Sequence, residues 1–335
     1  MSQCFIPNGY KSILTTYQTQ SAIGRLKRVF EDNLSMALNL HRVSAPLFVE
    51  PQTGLNDNLS GVERPVEFDI PETHHTAQIV HSLAKWKRLA LHKYGFSSGI
   101  GLYTDMNAIR RDEIMDNTHS IYVDQWDWET VITREQRTEE YLKQTVKRIV
   151  EAIFTTSERL RWDYPKLPVS LKRDVTFVTA QELDDLYPLL TPEEREAEFT
   201  KKHKTVFVMK VGGKLKSGQR HGSRAPDYDD WNLNGDILLW HDILDCAIEI
   251  SSMGIRVDAE VLDAQLKEAG CDDRRSLSFH KDLLAGELPL TMGGGIGQSR
   301  LCMLLMAKAH IGEVQVSVWD NETLKICDAA GVRLL

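Results

Sequence analysis

Met292-Gly293-Gly294-Gly295-Ile296-Gly297-Gln298-Ser299-Arg300 is the stretch on which the reading of this chain turns. Glycines stand at 293, 295 and 297, an arginine follows three residues later, and the apolar run 301–306 comes next. Alternating glycines let a backbone approach a flat ligand closely. A helix beginning here offers N–H groups with no partner in the helix. The arginine can lie over an adenine ring through cation–π contact and stacking. A dinucleotide fingerprint would need glycine where Gln298 stands, and no Lys-Ser/Thr pair follows as in a P-loop. By spacing alone the glycines suit a turn capping a core helix. The arginine and the rest of the chain tip the balance toward a ligand site.

Bulk properties narrow the setting. A chain of 335 residues suits one large domain or two small ones. It has no repeats, low-complexity tract or domain-sized composition break, so one domain over 1–335 is expected. Hydrophobic content of 42% is ordinary for a chain that buries a substantial core. A net charge of −8 argues against a broad nucleic-acid surface, which usually needs a basic face. No apolar run approaches a membrane span, and the start Met1-Ser2-Gln3-Cys4 lacks a basic signal-peptide opening. Cysteines at 4, 246, 271, 302 and 327 are odd in number and scattered. They read as reduced thiols, neither a disulfide framework nor a zinc site, and the expected compartment is cytoplasmic.

Periodicity outlines the elements. Ala22, Ile23, Leu26, Val29, Phe30 and Leu34 predict a long helix over roughly 14–39. An extended segment follows over 42–48, and its Pro46 argues against a central strand. Short strands are expected over 66–70 and 78–81, and a helix over 83–92. Two extended runs, 100–109 and 120–128, flank the polar loop 110–119. A second long helix follows around 141–154, Thr191 with Glu194 forms a capping box, and 205–211 alternates as a strand. Antiparallel hairpins with flanking helices indicate an α+β fold.

Local chemistry singles out several positions. In a strand, Val123, Gln125, Asp127 and Glu129 share one face, opposite Asp124, Trp126 and Trp128. That pattern fits either a strand lining a polar pocket or an edge strand facing water. Asp236 and Glu249 lie in apolar runs, where an unpaired carboxylate is costly, and two short strands around His241-Asp242 would bring them together. Their partners are then either arginines or a hard divalent cation. Arg256 is seven residues past Glu249, so a regular strand points it to the opposite face, and a bulge around 251–254 would restore it. The aspartates of Arg224-Ala225-Pro226-Asp227-Tyr228-Asp229-Asp230-Trp231 suit a solvated turn or a ligand loop.

The glycine stretch resembles the third sequence motif of class II aminoacyl-tRNA synthetases. Three further peptides narrow this: Asp57-Asn58-Leu59-Ser60-Gly61, His81-Ser82-Leu83-Ala84-Lys85-Trp86-Lys87-Arg88 and the 224–231 segment. With Tyr122-Val123-Asp124-Gln125-Trp126-Asp127-Trp128, they are similar to the ammonia-dependent, A-type asparagine synthetase family. The likeness covers nearly the whole chain, with independent peptides in the right order. It implies a class II synthetase-like catalytic fold, mainly antiparallel sheet flanked by helices. Helix, strand and Pro46 then resemble the first class II motif, which implies a homodimer, and the 100–128 strand–loop–strand resembles the second.

The implied reaction joins L-aspartate and ammonia with ATP through a β-aspartyl-AMP intermediate, releasing AMP and pyrophosphate. By resemblance, Arg110 would bridge the substrate carboxylate and the α-phosphate. Gly293, Gly295, Gly297 and Arg300 would hold adenine, and Asp236 and Glu249 would hold Mg2+. Gln125 would orient the acyl group, while Ser82, Lys87, Asp127, Asp229, Ser252 and Arg256 would position aspartate. Asp57 would hold ammonia and accept its proton. The family is expected to carry glutamine just before that aspartate, where this chain has Asn56. No cysteine follows Met1 as a glutaminase nucleophile would, so free ammonia is the implied donor. A tRNA-charging enzyme would carry an anticodon-binding domain and a basic surface, and neither is found. A relative serving another acceptor, or a non-enzymatic amino-acid or ATP sensor, is the alternative. The sensor would be expected to lose some of Arg110, Asp236, Glu249 or Arg300, yet all are present.

Overall fold

The computed structural model describes residues 4–59, 61–168 and 171–335. Ser60 of the first motif peptide and the opening Met1-Ser2-Gln3 lie outside the described residues. In chain order the elements begin with α1 (Thr16–Leu38), β1 (Leu40–Arg42), β2 (Phe48–Val49), β3 (Glu67–Ile70), β4 (His75–Ile79) and α2 (Ala84–Lys93). Then come β5 (Gly101–Ile109), β6 (Tyr122–Val131), α3 (Glu139–Asp163), β7 (Thr176–Thr179), α4 (Ala180–Leu186) and α5 (Pro192–His203). The remainder is β8 (Thr205–Met209), β9 (Asp229–His241), β10 (Cys246–Arg256), α6 (Ala259–Ala269), α7 (Ser278–Leu284), β11 (Thr291–Gly297), α8 (Gln298–Leu305) and α9 (Asn321–Ala329).

An eight-stranded sheet of order β1-β5-β6-β11-β10-β9-β8-β7 organises the molecule. Its two outermost pairings are parallel and the rest antiparallel. The expected α+β architecture is therefore present. One face is covered by α1 and α3. The first starts where Thr15 and Gln18 form a reciprocal capping box, and it ends where Asn39 turns left-handed at φ 54°. Its buried Ala22, Leu26, Phe30, Leu34 and Leu38 recur every four residues and form one stripe. Trp126 and Trp128 project into that layer with no exposed surface, Trp126 lying 4.5 Å ring to ring from Phe30. Each such ring removes roughly 200 Å² from water, worth about 5 kcal/mol of transfer free energy before entropy is counted. Burial of both tryptophans makes β6 a central strand, which removes the edge-strand reading of its parity.

One expectation needs correction, and one open alternative is settled. The single strand over 42–48 is in fact two: β1 pairs with β5 in the large sheet, and β2 joins a separate three-stranded sheet of order β2-β4-β3. Pro46 falls in the link, where it breaks no ladder. The 224–231 aspartates do not form a solvated turn, since Asp227, Asp229 and Asp230 are all buried and the last two open β9.

Candidate active site

The other face of the sheet carries a cavity of about 550 Å³, walled by β6, β10, β11 and the loops after Leu55, Ile109 and Gly222. Register builds its floor. Gly293, Gly295 and Gly297 of β11 pair directly with Glu129, Asp127 and Gln125 of β6, so each glycine shares a face with a polar side chain. A Cβ on Gly293 would strike the Glu129 carboxylate, and one on Gly295 the Gln125 amide. The glycines thus clear space for polar groups and open the floor. They do so as a strand, whereas the sequence suggested a helix start. The helix α8 begins only at Gln298, and Arg300 stands in its first turn.

The deep end is a closed network of charges. Arg256 presents Nε and Nη2 to Glu129 at 2.7–3.1 Å and donates through Nη1 to Asp229. Glu129 also accepts from the Thr291 hydroxyl at 2.7 Å. Lys87, fully buried, donates to Asp127 and to the Gly294 carbonyl at 3.1 Å, with Glu129 3.8 Å away. Burial pulls Lys87 below its ordinary pKa despite Asp127 and Glu129. Burial would raise Glu129, but Arg256 and Lys87 more than offset it and hold the group ionised below its usual range. Arg256 itself is pushed up: burial opposes its charge, and Glu129 and Asp229 outweigh burial.

The expected bulge is real and sits slightly earlier than anticipated. The β9–β10 register shifts between Glu249 and Ser251, so Glu249 lies opposite Leu238 while Ser252 lies opposite Asp236. A second irregularity between Gly254 and Arg256 brings Arg256 opposite Asp229. These shifts deliver Glu249, Ser252 and Arg256 to the same cavity.

Asp236 does not line the cavity directly, and Glu249 is exposed at its rim rather than buried in an apolar run. The hairpin carrying them has long strands of 13 and 11 residues, with Asp236 five residues before the end of β9 and Glu249 the fourth residue of β10. Asp236 accepts from Arg224 Nη2 at 2.6 Å, and Arg224 Nη1 donates to the Ser252 hydroxyl. Burial raises Asp236 to about 7, Arg224 opposing and Glu249 adding to the rise. Arg224 is therefore the hub joining Asp236, Ser252 and Asp229, the last 3.9 Å away. The sequence pointed to it only through the family resemblance. Glu129 was legible from parity but not singled out as part of the site.

The mouth is looser. Arg110 follows β5 directly. Its side-chain contacts are a 3.5 Å approach to the His81 carbonyl and a 4.0 Å approach to Glu113, and its buried Nε has no partner among the described residues. Arg300 donates to the Glu249 carbonyl at 3.0 Å and reaches toward Thr118 at 3.4 Å. Asp57, buried, accepts from the Ser82 hydroxyl at 2.9 Å and from Leu59 N–H at 2.9 Å, and lines the cavity. Asn56 turns away from that cavity. Its amide donates to Gln78 and the Ile79 carbonyl and accepts from the N–H groups of Asp57 and His81. It is a brace for the loop.

The fold is that of solved asparaginyl-tRNA synthetases. The enzyme of Entamoeba histolytica in complex with asparaginyl-adenylate superposes with a TM-score of 0.62 at 13% identity, over 90% of this chain and 66% of that one. The Pyrococcus horikoshii enzyme complexed with asparaginyl-adenylate gives 0.61 at 15%, over 88% and 68%. The chain spans about two thirds of those lengths and has the class II aminoacyl-tRNA synthetase-like catalytic fold. Sequence takes the assignment further. A family model described as aspartate-ammonia ligase matches residues 17–331. Curated aspartate–ammonia ligases of Ruminiclostridium cellulolyticum and Clostridium perfringens are 57% and 56% identical over the full length of both chains. The chain belongs to the aspartate–ammonia ligase family and is a ligase.

Proposed function

We propose that the enzyme makes L-asparagine from L-aspartate and ammonia, activating the β-carboxylate with ATP as β-aspartyl-AMP and releasing AMP and pyrophosphate. The observation that carries this reading is the convergence on one cavity of Arg110, Arg300, Asp57 and the Gln125–Asp127 stripe from separate elements. A carboxylate is a poor acceptor for ammonia because its leaving group would be an oxide, and the mixed anhydride supplies a better one. In-line attack on the α-phosphorus then depends mainly on positioning and charge neutralisation. Arg110, whose Nε is buried without a partner, is suited to fork the substrate carboxylate and α-phosphate. Arg300 stacks on adenine over the opening left by Gly293, Gly295 and Gly297. Lys87, Asp127, Asp229, Ser82 and Ser252 position aspartate. Arg256 has its donors committed to Glu129 and Asp229, so it holds those acids in place.

Glu249 lines the cavity and Asp236, engaged by Arg224, lies behind it; the two carboxylates would hold Mg2+, which prefers oxygen ligands. They share one side of the hairpin, and their repulsion, which helps to raise Asp236, is what a dication would relieve. Held there, Mg2+ would supply positive charge against the phosphates of ATP. In the second step ammonia attacks the acyl carbon with Gln125 orienting it, and Asp57 receives the proton.

Asp57→Asn tests the division of labour. Asparagine synthesis should fall by about 10²–10⁴-fold, the usual range for a general base, while aspartate-driven ATP–pyrophosphate exchange falls far less. Equal loss of both would remove Asp57 from the amidation step. ADP in place of AMP would overturn the adenylate. We also assign a homodimer, supported by the exposed apolar Leu47, Phe48 and Phe68 on the small sheet, where the two phenylalanine rings meet at 5.1 Å. Sedimentation showing only monomer at micromolar concentration would exclude it.

A further inference from the structure

Away from the cavity, three side chains remote in sequence meet: Cys4 ahead of α1, His310 after α8, and Cys327 in α9. The two sulfurs are 4.0 Å apart, and with a ring nitrogen of His310 all three ligand-type atoms lie within 4.8 Å of one another. The scattered spacing that read as unrelated thiols is thus paired by the fold across 323 residues. All three residues are buried, although Cys4 keeps 7% of its surface, enough to admit only a small reagent.

The histidine discriminates between uses of this cluster. Its Nδ1 accepts the Gly312 N–H at 3.0 Å, so a neutral ring carries its proton on Nε2. A protonated Nε2 can ligate a metal only by moving that proton to Nδ1, against the Gly312 N–H. It can, however, donate to a thiolate. The hydrogen bond with Cys327 is the main cause that lowers the Cys4 thiol to about 5; burial opposes it and His310 adds to it. The same contact raises Cys327. Asp320 also faces Cys4, and Glu313 faces Cys327. Two buried thiols in hydrogen-bond contact beside a histidine, one of them favoured as thiolate, are the arrangement of an oxidisable pair.

We propose that Cys4 and Cys327 form a redox-active dithiol that small peroxides convert to a disulfide, tying the segment before α1 to α9. The Cys4 thiolate attacks one peroxide oxygen and the O–O bond breaks, leaving a sulfenic acid and a hydroxide that is protonated to water. Cys327 loses its proton and attacks the Cys4 sulfur. The S–S bond forms and the S–O bond breaks, releasing a second water. Two thiols are oxidised as one peroxide is reduced. The bond would act on the active-site wall. Phe5 N–H donates to Asn117 Oδ1 at 2.9 Å, and Asn117 Nδ2 donates to the carbonyls of Phe5 and Ala309 at 2.6 and 2.7 Å. Thr118, His119, Ser120 and Ile311, beside these bonds, line the cavity.

The test uses the full-length reduced protein and stoichiometric hydrogen peroxide, followed by alkylation under denaturing conditions and mass analysis. The expected product has lost two hydrogens, has two of its five thiols blocked, and yields a peptide joining Cys4 to Cys327. Cys4→Ser and Cys327→Ser each abolish that peptide, and Cys246→Ser leaves it. The oxidised protein should also unfold several degrees higher than the reduced one, because the bond closes a very long loop. Over-oxidation of Cys4 by two oxygens without the cross-link overturns the proposal. So does stoichiometric zinc in the purified protein with both thiols shielded from peroxide, which would make the cluster a metal site. A cross-link that lowers the unfolding temperature would show that the bond does not fit the native fold, and would equally overturn it.

Discussion

The deep end and the mouth of the cavity are built on opposite principles. At the deep end Glu129, Asp229, Arg256, Lys87 and Asp127 have no more than a few per cent exposure, and each is engaged by an opposite charge within the set. At the mouth Arg110, Glu249 and Arg300 are held mainly through long contacts or backbone carbonyls. Buried charges that are fully paired are rigid, and removing one partner exposes the other to the full desolvation cost. Loosely held charges at a rim keep donors available for a ligand. The same cavity therefore has one end whose residues are bound up with folding and another whose residues can be altered without unfolding the chain.

Arg110→Ala should show the largest effect and the cleanest contrast. Exchange should fall by about 10²–10³-fold, the cost of losing a donor aimed at transition-state charge, with the thermal midpoint unchanged. A matching loss of stability would erase the distinction between the two ends.

Glu129→Gln comes next and acts on folding. Breaking a buried pair costs about 3–5 kcal/mol, measurable by urea unfolding. The sign in pH follows from Glu129 being held below its ordinary 4.5. Its ionised form is favoured by the fold, so its contribution is complete above that value and drains away as pH falls further. The gap between wild type and Glu129→Gln should narrow in acid, and a constant gap would deny the ion pair its role.

Gly295→Ala sharpens the comparison at the floor. Its Cβ meets the Gln125 amide, and overpacking costs about 1–3 kcal/mol. Aspartate KM should rise by roughly one order of magnitude because Gln125 is displaced, and ATP KM should rise with it because the same glycine opens the floor beneath adenine. Arg300→Lys is the mildest: it keeps the charge and loses the plane. ATP KM should rise about fivefold, near 1 kcal/mol of stacking, with aspartate KM unmoved.

Much of this was readable from local patterns. Parity on β6 separated Gln125, Asp127 and Glu129 from the two tryptophans because strand side chains alternate without regard to the rest of the fold. The long helix over 14–39 and the Thr191 capping box were legible for the same reason, since each depends on neighbours within a few residues. The break between β1 and β2 was not, because two sheets compete for that segment and only their packing decides. The role of Arg224 was likewise hidden: it lies in a loop, and its partners Asp236 and Ser252 belong to two different strands.

By itself, then, the sequence determined the family, the α+β class, the long helices near 14–39 and 141–154 and which residues of β6 carry charge onto a shared face. Tertiary structure alone decided where β10 bulges, which the sequence placed around 251–254, and the register that sets Gly293, Gly295 and Gly297 against an acid or amide. It also decided that Asn56 braces a loop and that Cys4 meets Cys327. The physical reason is range. Alternation, capping and helical spacing are set by the nearest few residues, whereas register, burial and ion pairing depend on which distant segments share a wall.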